Sequence, residues 1–145
     1  MESLTVPAKI DYLDEAADFI EANLQALSCP DKIQLQIRLA VEEVFVNIAS
    51  YAYEGSAHPE TGKAVLTFTH LENPSRVQIS FADEGVPFNP LDKEDSDTSE
   101  EAIMARAGGM GILLVKNMMD DVEYVYRDGQ NILTVTKNLT GGEDA

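Results

Sequence analysis

Three short stretches of the chain carry residue types that can do chemistry together. In "VEEVFVNIASYAY", Val41 to Tyr53, Glu43 stands four residues before Asn47. On a helix turning about 100° per residue these two side chains lie roughly 40° apart, whereas Glu42 points well away from Asn47. A carboxylate and an amide side by side at a core margin can hold a hydrated divalent cation through the amide oxygen. The carboxylate then orients or deprotonates a hydroxyl or a water. Taken alone, Glu-x-x-x-Asn is more often a solvated helix edge.

In "FADEGVPFNP", Phe81 to Pro90, Asp83 leaves a strand beside Gly85. A carboxylate there can accept a hydrogen bond from an exocyclic amine, and the glycine lets a flat ring approach the backbone, although Asp-x-Gly is also ordinary turn chemistry. In "AGGMGILLV", Ala107 to Val115, Gly108, Gly109 and Gly111 precede a helical pattern. Backbone N–H groups can converge on an anion at such a place, aided by the positive end of the helix; a hinge with close packing is the plainer reading. No Gly-Lys-Ser/Thr follows, which excludes a Walker A loop, and no strand leads into the glycines as the dinucleotide fingerprint requires.

The Glu43–Asn47 pair needs a helix to hold it. Ile33, Ile37, Val41, Val44, Ile48 and Tyr51 recur at three- and four-residue steps. They predict a buried stripe on a helix from Pro30 and Asp31 to about Tyr53, broken by "EGSAHPETG". Upstream, "SLTVPAKI" reads as a short edge strand. Asp11 is placed to cap a helix running to about Leu27, with Leu13, Ala16, Ala17, Ile20 and Leu24 on its apolar side. Asp83 needs a strand, and the alternation in "AVLTFTHL" and "RVQISFAD", joined by "ENPS", predicts a hairpin.

Further on, "LDKEDSDTSEEA", Leu91 to Ala102, is acidic and poor in large apolar residues, and reads as a mobile loop. A third helix is expected in "GILLVKNMMD". A second hairpin, "VEYVYRDGQNILTVTK", turns at Asp128-Gly129. The order β-α-α-β-β-α-β-β predicts an α+β two-layer sandwich, with helices on one face of a mixed, mostly antiparallel sheet.

A chain of 145 residues with 44% hydrophobic content suits one domain spanning 1–145. Its formal net charge is -16, from 26 acidic residues against 10 basic ones. The basic residues are scattered singly, which argues against direct nucleic-acid binding and against anionic membranes as partners. A nucleotide is still compatible, since metal, backbone amides and helix N-termini can carry its phosphates. No apolar run of about 18 residues and no signal-peptide pattern is visible, so a cytoplasmic location is expected. Cys29 is the single cysteine, which leaves no internal disulfide and few zinc ligands.

Together the three stretches, in this order, resemble the boxes of the GHKL, or Bergerat-fold, ATPase superfamily. "EEVFVN" is similar to its N box, "DEGVPF" to its G1 box and "GGMGILLV" to its G2 box. Within it, "DEGVPFNP", "GGMGILLVKNMMDDVEY" and "GQNILTVTKNL" resemble the free-standing bacterial anti-sigma-factor serine kinases across essentially the whole chain. The resemblance implies ATP or ADP and Mg²⁺ as ligands, with Glu43 as general base toward a serine hydroxyl and Asn47 as the metal ligand. It implies Asp83 as acceptor for the adenine amine, beside Gly85 and Val86. Gly108, Gly109, Met110 and Gly111 would close on the phosphates at the end of a lid from Leu91 to Ala107. Arg106 falls one position further from Met110 than the family pattern has its basic residue. Implied partners are a sigma factor or similar regulator and a STAS-domain antagonist, and the resemblance allows a homodimer.

An alternative from another class is a nucleotide-binding switch without kinase activity; phosphate transfer to candidate partners separates the two. A detached histidine-kinase catalytic domain is disfavoured, because no helix pair with a phosphoacceptor histidine is visible. An interaction protein that binds no nucleotide would leave the three boxes a coincidence.

Overall fold

Alternating apolar residues build the sheet, and their alternation decides which face is covered. The computed structural model describes residues 1–53, 61–87, 89–91 and 109–139. In β2, Lys63–Leu71, the side chains of Ala64, Leu66 and Phe68 are buried while Val65, Thr67 and Thr69 are half-buried. β3, Arg76–Asp83, repeats this with Val77, Ile79, Phe81 and finally Asp83 on the covered face. β5, Gln130–Asn138, does so with Asn131, Leu133 and Val135. The period of two therefore puts two polar residues, Asp83 and Asn131, at the covered end of an otherwise apolar face.

β1, Glu2–Pro7, and β4, Asp121–Arg127, form the edges, and the strand order is β1-β2-β3-β5-β4. Among the described residues all four pairings are antiparallel, so the α+β sandwich is as expected but no parallel pair makes the sheet mixed. Both predicted hairpins are present. The second turns through Asp128 and Gly129 at φ 55 and 79, the pair of positive angles that a two-residue type I′ turn requires.

The helices cover one face. α1, Leu13–Ala26, buries Ala16, Ala17, Ile20 and Leu24, as its spacing predicts. Asp11 does not cap it. A 3₁₀ turn over Ile10–Tyr12 precedes the helix, closed by Tyr12 N–H donating to the Lys9 carbonyl at 2.9 Å, so Asp11 sits inside that turn rather than at its start. α2, Asp31–Asn47, buries Ile33, Ile37, Ala40, Val41, Val44 and Phe45. It continues into a wide π turn, Ile48–Ala52, so that the helical path reaches close to the expected end. α3, Gly109–Met118, packs against α2. The apolar faces of all three helices join the covered sheet residues in one core.

Candidate functional site

The end of β3 and the end of α2 meet, and their meeting shapes the site. Ala52, the last residue of the π turn, accepts a hydrogen bond from Val86 N–H at 2.9 Å. The next residue, Tyr53, receives the Glu84 N–H on its hydroxyl at 2.9 Å and donates that hydroxyl to the Lys63 carbonyl at 2.5 Å. Tyr53 thus ties α2 to the start of β2 and to the turn after β3. Gly85 is squeezed between these contacts. A Cβ there would lie 2.0 Å from the Ala52 carbonyl oxygen, a distance no side chain tolerates. Its missing side chain therefore lets the helix end approach; ring access, the reason read from sequence, is not needed to explain the glycine.

Asp83 is the buried charge of the site, 6% exposed. Its Oδ1 accepts from Gly85 N–H at 2.9 Å and from Asn131 Nδ2 at 3.0 Å. Both bonds fall on the same oxygen, which leaves Oδ2 as the acceptor toward the cleft that Asp83 lines. Burial pushes the carboxyl above the ordinary aspartate range, and the hydrogen bonds from Asn131 and Gly85 pull it partly back.

Asn131 is the residue that sequence reasoning missed. It faces Asp83 because the β3–β5 register pairs the two directly. Its Nδ2 also donates to the Val86 carbonyl at 3.0 Å, and the Tyr124 hydroxyl donates to its Oδ1. The amide is thereby oriented, oxygen toward Tyr124 and nitrogen toward the acid and the turn. The Asp128-Gly129 turn is a signal for this hairpin, but nothing in the sequence shows that β5 rather than β4 lies beside β3.

A cleft opens between the end of α2 and the ends of β3 and β5. Val44, Ile48, Phe81 and Leu133 give it apolar walls, and Asn47, Asp83 and Asn131 supply the polar groups. That is the make-up of a pocket for a flat, largely apolar ring bearing an amine: apolar contact on the faces and one buried acceptor at the edge. Asn47 and Asp83 are thus brought to one cavity from α2 and β3, with Val86 beside them. Glu43 lies one turn before Asn47, half-buried on the same flank, and is not itself a lining residue. Glu42 is turned away and bonded to Arg38 at 3.1 Å. Gly109, Met110 and Gly111 form the first turn of α3. Gly108, Arg106 and the lid from Leu91 to Ala107, except Leu91 itself, lie outside the described residues. The described parts hold no group of three His, Cys, Asp or Glu able to bind a metal.

The chain's order of elements and its antiparallel sheet have counterparts among known proteins. Residues 6–137 match the family model of the histidine kinase-like ATPase domain, and the chain belongs to that family. An ATPase domain uses a nucleotide, which is the class of ligand the cleft suits.

Among curated proteins, the chain is 24% identical over 135 residues to serine-protein kinase RsbW of Listeria monocytogenes, covering 90% of this chain and 83% of the relative. It is 27% identical over 107 residues to serine/threonine-protein kinase BtrW of Bordetella bronchiseptica, covering 74% and 72%. Among solved structures, the RsbU and RsbW domains of Rv1364c from Mycobacterium tuberculosis superpose with TM-score 0.63 at 13% identity, over 96% of this chain and 33% of that one. The SiaB–SiaC complex of Pseudomonas aeruginosa gives 0.59 at 13% identity, over 94% and 89%. These likenesses agree in the fold. The superfamily read from the three boxes is the one the family match gives.

Proposed function

We propose that this chain acts as a single ATP-binding anti-sigma regulatory domain with protein serine kinase activity. Its substrate is a STAS-type antagonist, and its sequestered partner is a sigma factor or a similar regulator. The observation that carries the reading is Asp83, buried with both internal donors on one oxygen, lining an apolar cleft that Val44, Asn47 and Ile48 also line. The likeness to a serine-protein kinase and to a serine/threonine-protein kinase supports the reaction class.

Asp83 accepts the exocyclic amine of adenine, and Val44, Ile48, Phe81 and Leu133 cover the ring. Asn47 Oδ1 would hold a Mg²⁺ ion, which when bound would neutralise charge on the phosphates. ATP supplies the phosphoryl group. Glu43 takes the proton of the serine hydroxyl as that oxygen bonds to the γ-phosphorus, the bond to the β–γ bridging oxygen breaks, and ADP leaves. Among the described residues no hydrogen bond or ion pair engages the side chain of Glu43 or Asn47, so both groups are available for these roles.

The test is single-turnover phosphotransfer to a STAS-domain protein of the same genome, run beside nucleotide titration. Glu43→Ala should lower the transfer rate by about 10²–10⁴-fold with ATP affinity little changed. Asn47→Ala should weaken Mg²⁺-dependent binding. Transfer at the normal rate by the Glu43 variant would show that Glu43 is not the base.

A further inference from the structure

The outward pole of α2 is apolar where a solvent-facing helix surface is normally polar. The helix buries Ile33, Ile37, Ala40, Val41 and Val44. At about 100° per residue the opposite pole carries Leu35, Leu39 and Val46 within an arc of roughly 40°. Leu35 is 58% and Leu39 37% exposed, and Val46 is half-buried. On one side the ridge is bordered by Arg38, which bonds Asp18 at 3.1 Å and Glu21 at 2.6 Å on α1 and Glu42 at 3.1 Å on α2. On the other side stands Glu43. Exposed Asp31 and Lys32 also flank the ridge one turn before Leu35, so the rim holds five carboxylates against two cations, Arg38 and Lys32.

We propose that this ridge is the docking surface for the protein substrate, a partner whose own apolar patch is ringed by Lys or Arg next to the hydroxyl it presents. The proposal rests on the kinase reading, because Glu43 follows Leu39 by one turn, about 6 Å along the helix axis. A protein that brings a hydroxyl to Glu43 must lie over this part of α2. Charge selects the occupant. A second copy would bring the same acidic rim, on a chain of net charge -16, against this one, and like-charge contact is disfavoured. The chain's own segment 92–102 carries six acidic residues and one lysine, and is equally mismatched. A basic-rimmed partner neutralises the border and covers the leucines.

The test is the double variant Leu35→Gln, Leu39→Gln, which keeps good helix formers at solvent-exposed positions. The expected result with the STAS-domain substrate is a KM at least tenfold higher, with kcat at saturation and ATP affinity unchanged. Transfer to a short peptide carrying the same serine, too small to reach the ridge, should be unaltered. An unchanged KM for the intact substrate overturns the ridge while leaving the kinase reading intact. Should the unaltered chain transfer no phosphate yet bind the STAS-domain protein, binding at least tenfold weaker in the double variant supports the ridge and rejects the kinase reading; equal binding, or no binding by either, rejects the ridge. A dimer that the double variant converts to monomer would assign the surface to a second copy and overturn the proposal.

Discussion

At the scale of single residues the site turns on which oxygen of Asp83 is committed. Oδ1 takes both internal donors, so in Asp83→Asn the amide oxygen has to keep that place and the amide nitrogen replaces Oδ2. A donor then faces the adenine amine, and ATP affinity should fall tenfold or more, the scale of a lost buried acceptor at about 1–3 kcal/mol. The same change should stabilise the fold at neutral pH. Burial holds the Asp83 carboxyl above its unfolded range, so the folded chain keeps the proton between the two values. Stability therefore falls as pH rises through that window, and the full penalty is present above the folded value. Denaturant melts should show Asp83→Asn more stable than the unaltered chain at pH 7, with the gap shrinking in acid; a gap independent of pH would contradict this origin. Asn131→Ala should weaken nucleotide binding as well, because it removes a donor to Asp83 and to Val86. Unaltered affinity in that variant would remove Asn131 from the site.

At the scale of elements the clamp between α2 and the turn after β3 sets the cleft. Gly85→Ala places a methyl 2.0 Å from the Ala52 carbonyl, which only a shift of the helix end relieves. Such overpacking costs typically about 1–3 kcal/mol, and nucleotide affinity should fall with it. Tyr53→Phe, which deletes the hydroxyl joining Glu84 and Lys63, should cost about 1 kcal/mol by comparison. A thermal melt of both variants checks the order. The elements themselves were largely legible in the sequence, since the periods of α1, α2, β2 and β3 are set by burial on one face. Two things were not. The 3₁₀ turn that takes up Asp11 is a local backbone choice that a capping pattern does not distinguish. The insertion of β5 between β3 and β4, which brings Asn131 to Asp83, is a long-range pairing with no local signal. The crowding at Gly85 lay in the same gap, since it comes from Ala52, 33 positions away.

At the scale of the whole molecule, the three boxes were visible as a coincidence of spacing, and the fold gathers Asn47, Asp83 and Val86 at one cleft. A net charge of -16 also acts on the ligand. Metal-free ATP should bind more weakly than MgATP at low ionic strength, and its affinity should improve as salt screens the repulsion. Among the described residues no helix is long and apolar enough to cross a membrane. The central claim, that the Asp83 cleft recognises the adenine of ATP, is tested most directly by calorimetric titration of MgATP and MgGTP into the unaltered chain and into Asp83→Ala and Glu42→Ala. MgATP should bind the unaltered chain and Glu42→Ala alike, bind Asp83→Ala at least tenfold more weakly, and be preferred over MgGTP, whose ring offers a carbonyl where adenine offers the amine. Equal affinity of Asp83→Ala and the unaltered chain for MgATP, or no preference between the two nucleotides, would contradict it.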